Sequence, residues 1–446
     1  MQHREERQTA DKLQHREEEQ PAGKVTIKTM SKMKIIADEA IPYLKGIFEN
    51  ECEVEYYPGS EITPQRVKDA DALIVRTRTK CNAQLLEGSK VKVIASATIG
   101  TDHIDRAWCQ SHNIALFNAP GCNSGGVLQY FLTALFKCLS TRELWQKFLN
   151  YAPDATGAES SAAGGAAGAA EGVAAGSVAG VDGTPDGAAT AAGDSAVESA
   201  PFTVGVIGVG NVGSKVAAAC EGLGFEVLRN DPPKERQQTL AYNSGYLRIV
   251  DFKDYYSLDY LLENSDVVTL HVPLDETTRG MADANFFARM KPGAIFINSS
   301  RGEVVDEAAL LANLHKLAAV VLDVWVGEPN INKELLQSAF IATPHIAGYS
   351  AEGKIKGTQM AVEAIRRYMR DNGLTASTCS AAAGTCTIPE EQPIPVDFRG
   401  KNIDEISQML ERIFPIQELS DSLKANPHTF EEMRNNYNYR HELEIL

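Results

Sequence analysis

The chain has 446 residues, a formal charge of −16 and a hydrophobic fraction of 43%, enough for two or three domains with ordinary cores. That charge argues against nucleic acid or an anionic membrane as a partner, and no apolar run approaches the ~18 residues a membrane span needs. The eight cysteines are scattered without a C-x-x-C pair, which argues against a disulfide scaffold or a zinc site and points to a reducing cytoplasm.

Residues 1–32 are polar and charged, lack the apolar core of a signal peptide, and are expected to be a disordered extension. Met33-Lys34-Ile35-Ile36-Ala37 opens the first strand, and 72–75 and 91–95 repeat the pattern, so the stretch from 33 to about 118 predicts a small parallel α/β unit. Apolar residues then recur at helical spacing over 125–151, which predicts one long helix or two. Residues 155–200 contain no Leu, Ile, aromatic, Lys or Arg and are dominated by Ala and Gly. Such a stretch buries too little apolar surface to offset its ordering entropy, and each glycine costs a helix roughly 1 kcal/mol. A disordered insertion within 152–200 is therefore expected.

The alternation resumes with Val204-Gly205-Val206-Ile207-Gly208-Val209-Gly210-Asn211-Val212-Gly213, a β-branched run entering a G-x-G-x-x-G turn. Gly208 permits the tight turn, Gly210 the close approach of a pyrophosphate, and Gly213 the packing of helix on strand. The following helix offers its N-terminal N–H groups and dipole to phosphates. Strand 225–230 ends at Asp231, 18 residues after Gly213, where a carboxylate would accept from an adenosine ribose and repel a 2′-phosphate. The cofactor expected is NAD rather than NADP. Arg229, on the same face of the strand, has two open readings: a 2′-phosphate contact, or a surface pair with Asp231.

Runs at 266–271, 294–298 and 320–324 read as further buried strands of a doubly wound sheet, whose ligands sit at the strands' carboxyl ends. A low-complexity linker at 374–388 precedes a polar, helix-prone tail at 389–446. The fold class predicted is α/β, with two Rossmann-like doubly wound parallel-sheet domains plus a small C-terminal region.

Three candidate catalytic residues stand at those strand ends: Arg301, Glu328 and His345. A guanidinium can grip a carboxylate through two parallel hydrogen bonds. An imidazole can exchange a hydroxyl proton near neutral pH, and a carboxylate behind it fixes its tautomer. Each has a bland reading alone, as a turn arginine, a loop glutamate or a structural histidine. Behind a dinucleotide fingerprint, the three together describe hydride transfer from a 2-hydroxy acid.

The segments Asn298-Ser299-Ser300-Arg301-Gly302, Leu322-Asp323-Val324-Trp325-Val326-Gly327-Glu328-Pro329 and Thr343-Pro344-His345-Ile346-Ala347-Gly348 resemble the arginine, glutamate and histidine motifs of the D-2-hydroxyacid dehydrogenases. Within that family, Val75-Arg76-Thr77-Arg78-Thr79-Lys80, Ala97-Thr98-Ile99-Gly100-Thr101-Asp102-His103, Ala119-Pro120-Gly121-Cys122-Asn123 and Tyr349 are similar to the branch that oxidises 4-phospho-D-erythronate in vitamin B6 synthesis. The resemblance covers 33 to about 373, the insertion excluded. It implies substrate contacts at Thr77, Thr98 and Tyr349, and NAD contacts at Asp231, Asp323 and Gly348 beside the glycine turn. It implies a lid domain of 33–125 with 345–373, an NAD-binding domain of 126–344, and a homodimer formed through 389–446, where Phe430–Tyr437 is similar to the family's dimerisation region. Packing explains Cys122 and His103 as well as catalysis does. Arg76, Arg78 and Lys80 form a basic cluster suited to a phosphorylated acid, or else a solvated charge run. The same chemistry on 3-phosphoglycerate or a simpler 2-hydroxy acid stays open, as does an NAD-sensing corepressor-like scaffold.

Overall fold

A computed structural model describes residues 32–141, 202–244, 253–374, 388 and 391–446. The expected extension before Lys32, the insertion within 152–200, the end of the helix beyond Thr141 and most of the 374–388 linker lie outside them.

Five strands form the first sheet, β1 (Lys34–Asp38), β2 (Glu53–Tyr57), β3 (Ala72–Val75), β4 (Val93–Ser96) and β5 (Ala115–Phe117), in the order β2-β1-β3-β4-β5. All pairings are parallel, with Ile36 opposite Leu73 and Leu73 opposite Ile94. Covered on both faces, the inner strands are apolar over consecutive positions (Ile35–Ala37, Ala72–Val75, Val93–Ala95) rather than at alternate ones. Ile35, Ala37 and Ile74 pack to one side with Ile365 and Met369, while Ile36, Leu73 and Val75 pack to the other with Leu85 and Leu86. β2 is an edge strand, and its alternate acids Glu53 and Glu55 face solvent and Lys34.

The second sheet has six parallel strands: β6 (Thr203–Ile207), β7 (Glu226–Asn230), β8 (Val267–Leu270), β9 (Ile295–Asn298), β10 (Ala319–Leu322) and β11 (Ile341–Ala342). Its order is β11-β10-β9-β8-β6-β7. The chain leaves β6 to one side for β7 and crosses to the other for β8, so a crevice opens above the carboxyl end of β6, where Gly208 begins its turn. The helix Ser124–Ser140 lies on one face with Tyr130, Phe131 and Leu135 fully buried. Phe286, Phe287 and Phe296 fill the other in edge-on ring contacts. Each such ring contributes roughly 1.5–3 kcal/mol of burial.

The C-terminal region is less polar in structure than in sequence. Helices Ile403–Ile413 and Ile416–Ala425 bury Ile406, Leu410, Phe414 and Ile416 in the core shared with Ser124–Ser140. β12 (Ile394–Val396) and β13 (Leu443–Ile445) then close a two-stranded parallel sheet. No described helix is long and apolar enough to cross a membrane.

Candidate active site

The glycine turn has the geometry its spacing predicts. Gly208 sits at φ +85°, and a Cβ there would meet the His271 carbonyl at 2.7 Å. A Cβ on Gly213 would lie 1.9 Å from the Gly208 carbonyl oxygen, so any side chain would push helix Asn211–Gly222 off the strand. Gly210 is the opposite case: nothing stands within 4 Å of its missing Cβ, and as N-cap it lends the helix no side-chain bond. Open space before uncapped N–H groups is what a pyrophosphate needs. Asp231 ties the turn down, accepting from Val209 N at 2.8 Å and Lys234 N at 3.0 Å. Asn211 is exposed and Val212 partly covered, with Asn211 beside Gly121. The residues present fit a dinucleotide.

Arg229 departs from both sequence readings. It is buried and pairs with Glu221 of the glycine-turn helix, not with Asp231. Strand alternation fixes its face, but tertiary packing chose its partner.

At the carboxyl end of β10, Asp323 is 1% exposed and holds the histidine loop. Its carboxylate accepts from Thr343 Oγ1 (2.7 Å), Ile346 N (2.8 Å) and Ala347 N (2.9 Å), and its carbonyl from His345 N at 2.7 Å. These bonds keep His345 at φ +58°, a left-handed conformation that costs a residue with a Cβ about 1–2 kcal/mol. His345 Nδ1 then lies 2.9 Å from Glu328 Oε2. With Nδ1 engaged, Nε2 is the nitrogen left to exchange a proton with a substrate. Burial by itself would raise the Glu328 carboxyl, but the hydrogen bond and charge of His345, the Arg434 guanidinium and the Trp325 N–H outweigh it and hold it below its ordinary value. Glu328 therefore stays an anion behind the imidazole.

Arg301, after β9, is held in the region between the sheets. Its Nε and Nη2 donate to Asp102 Oδ2 at 3.1 and 3.0 Å, and Nη1 to the Ser300 carbonyl at 2.7 Å. Gly100 gives it room, since a Cβ there would stand 2.3 Å from Nη2. Thr98, on the same loop, shares a 2.8 Å hydrogen bond with Ser96 Oγ, while Thr77 is exposed on the loop after β3. Gly348 packs against Asn123, whose Nδ2 would stand 2.2 Å from a Cβ at position 348.

His103 and Cys122 are packed. Burial pushes the imidazole down to about 4 and the thiol up to about 11, so neither is a ready base or nucleophile. The described cysteines are all buried and unpaired, and among described residues no group of three metal-ligating side chains converges.

Three basic residues to which the sequence assigned no role in the site complete the surroundings. Arg434, from helix Phe430–Asn435, stands 3.6 Å from Glu328 Oε2 and donates to the Tyr349 hydroxyl at 3.2 Å. Lys354 Nζ lies 4.0 Å from the Tyr349 ring centre. Arg440 is buried and spreads its donors over the carbonyls of Gly126, Ile346, Ala347 and Tyr349, Gln129 Oε1 and the Tyr437 hydroxyl. The predicted cluster of Arg76, Arg78 and Lys80 divides: Arg78 is drawn to Asn435 and Glu431 of the C-terminal segment, while Arg76 reaches the Tyr439 side chain.

Residues 186–347 match the D-isomer specific 2-hydroxyacid dehydrogenase, NAD binding domain. The chain is 37% identical over 417 residues to erythronate-4-phosphate dehydrogenase of Bacteroides fragilis, covering 92% of this chain and 97% of that one. It is 36% identical over 343 residues to the Escherichia coli protein of the same name, covering 76% and 74%. Among solved structures it resembles D-lactate dehydrogenase from Aquifex aeolicus complexed with NAD and lactic acid, at TM-score 0.54 and 22% identity over 76% of this chain and 96% of that one. The NAD-bound 3-phosphoglycerate dehydrogenase of Entamoeba histolytica gives 0.53 and 24% over 77% and 97%. These structures share the fold. With the glycine turn, Arg301, Glu328 and His345 in place, the chain belongs to the D-isomer specific 2-hydroxyacid dehydrogenase family and carries its NAD-binding domain.

Proposed function

We propose that the protein oxidises the C2 hydroxyl of 4-phospho-D-erythronate to 2-oxo-3-hydroxy-4-phosphobutanoate with NAD, as a step of pyridoxal 5′-phosphate synthesis. The observation that carries the reading is the His345–Glu328 pair at 2.9 Å, together with the Arg301 guanidinium, fixed by Asp102, after the neighbouring strand β9. The names of the relatives at 36–37% identity supply the substrate.

In this reading Arg301 holds the substrate carboxylate and His345 Nε2 accepts the C2 hydroxyl proton. Glu328 stabilises the imidazolium so formed, with Thr77, Thr98 and Tyr349 as the substrate's further contacts. Gly208, Gly210, Asn211, Val212, Gly213, Asp231, Asp323 and Gly348 would hold NAD, which when bound supplies the acceptor for hydride from C2. Asp323 would do so largely by fixing the loop around Gly348. Residues 33–125 with 345–373 would form the lid over the NAD-binding domain of 126–344, excluding water during transfer. A cytoplasmic homodimer through 389–446 belongs to the same reading, supported by the exposed Ile445 and Leu446.

The test is NADH formation from 4-phosphoerythronate and 3-phosphoglycerate side by side, with one carbonyl trap common to both. A preference for phosphoerythronate is expected. A preference for phosphoglycerate would keep the mechanism and overturn the substrate.

A further inference from the structure

Three cations from separate parts of the chain meet beside the catalytic pair. Arg76 follows β3, Lys354 lies in the first turn of helix Ala351–Asp371, and Arg434 comes from the C-terminal segment. Two phenol rings join them, Tyr349 and Tyr439, whose centres are 5.9 Å apart. Lys354 Nζ sits over both, at 4.0 and 5.0 Å; Arg434 donates to the Tyr349 hydroxyl; Arg76 reaches Tyr439.

Around Lys354 the cluster is short of negative charge. Among the described residues, the groups that bear on Lys354 are Arg76, Arg434 and the buried Cys122 thiol, with no carboxylate among them. Arg76 Nη1 is spent on the Ala40 carbonyl, and among the described residues Arg434 pairs with one carboxylate, Glu328, which His345 also claims, while the Asp323 charge acts on it from farther off. Like charges brought together and partly desolvated are costly unless an anion joins them. Arg78 makes the contrast: it has Glu431 at 3.5 Å and Asn435, so it fastens the C-terminal segment and is not available to a ligand.

We infer that Arg76, Lys354 and Arg434, with Tyr349 and Tyr439, form a phosphomonoester subsite that seats the far end of the substrate. The subsite rests on the proposed phosphorylated substrate, and it shifts the phosphate from the Arg76–Lys80 run to a site built from three elements. Arg434 touches both Glu328 and Tyr349, so the subsite adjoins the reacting carbon, as a phosphate a few bonds beyond C2 requires. A dianion there supplies the counter-charge that Lys354 lacks and that Arg434 now shares with His345 at Glu328. Consistent with this, burial and the like charges of Arg76 and Arg434 push the Lys354 ammonium down to about 7, a shift that a bound anion reverses.

The test uses the full chain and two readouts: inorganic phosphate binding by ³¹P line broadening, and the ratio of kcat/KM for 4-phosphoerythronate to that for erythronate. Phosphate should compete with 4-phosphoerythronate in the wild type. K354M and R434M should each weaken phosphate at least about tenfold and lower the ratio by a similar factor, with NAD binding by fluorescence quenching reporting an intact fold. If either variant fails to fold, K354R and R434K take its place, and both should keep phosphate binding. Phosphate binding and ratio unchanged in K354M and R434M, or no competition in the wild type, would overturn the subsite while leaving turnover of phosphoerythronate in place. Phosphate binding that depends on these residues in a protein that does not turn over phosphoerythronate would keep the subsite and remove the proposed substrate.

Discussion

Arg301 and Asp102 are joined by a two-point hydrogen bond, Nε and Nη2 both donating to Oδ2 at 3.1 and 3.0 Å, although 199 residues separate them. Asp102 follows β4 of the first sheet and Arg301 follows β9 of the second, so the pair fixes one sheet's loop against the other's. A substrate carboxylate must take the remaining guanidinium hydrogens or displace Asp102. Lysine keeps the charge at 301 but cannot serve Asp102, the Ser300 carbonyl and a substrate in fixed directions. R301K should therefore lower kcat/KM by roughly 10²-fold, most of it in KM. Equal KM values for R301K and wild type would show that the substrate carboxylate is held elsewhere.

The glutamate behind His345 leads to a sharper split. E328Q keeps the shape of the pair but presents a neutral amide to Nδ1, so the imidazolium formed during oxidation loses its counter-charge. The expected effect is a fall in kcat of about 10²-fold with little change in KM. H345A should lose at least as much. Steady-state kinetics with saturating NAD measure both, and an E328Q enzyme of normal kcat would reduce Glu328 to a loop anchor.

Much of this site was legible because its local chemistry is rigid. The glycines at 208, 210 and 213 have few alternatives in such a turn, and apolar runs at 72–75 and 295–298 could only be strands buried on both faces. β2 was missed because Glu53 and Glu55 break its apolar pattern at a sheet edge, and the partner of Arg229 was missed because Glu221 reaches it from another element. The C-terminal region carried a readable signal: Asn402 and Glu405 form a capping box, and Ile403, Ile406 and Leu410 follow at helical spacing. The part played by Arg434 and Arg440 was not readable, since nothing near them in sequence shows that the tail turns back to the histidine loop.

Arg440 makes that return structural. Its guanidinium satisfies carbonyls at 126, 346, 347 and 349 that are otherwise buried, and so fixes the backbone immediately after His345. Methionine at 440 would strand several acceptors at once, a loss of roughly 3 kcal/mol or more, and R440M should melt several degrees lower. R440K is the informative variant: one ammonium cannot reach all these acceptors, so kcat should fall further than NAD affinity. Thermal melts and NAD titration measure the two effects, and unchanged kcat in a folded R440K would separate the tail from the catalytic loop.

Lys354 links the inferred phosphate site to stability. Its ordinary value is 10.5, and burial beside Arg76 and Arg434 brings it to about 7. Between those values the unfolded chain binds a proton that the folded chain has lost, so this residue makes folding more favourable as pH rises from about 7 towards 10.5. Below about 7 both states are protonated, and the folded protein bears the full cost of the cation beside two guanidiniums, with Cys122 and the two tyrosines as its other neighbours. Without phosphate, K354M should therefore melt higher than wild type at neutral pH and lose that advantage in alkali. Inorganic phosphate should reverse the order, raising the melting temperature of the wild type by mass action while leaving K354M nearly unmoved. If K354M is the less stable protein in phosphate-free buffer at neutral pH, the lysine is a packing residue whose stem matters more than its charge. That order of stabilities, reversed by the anion, is what a lysine held in place for binding should show.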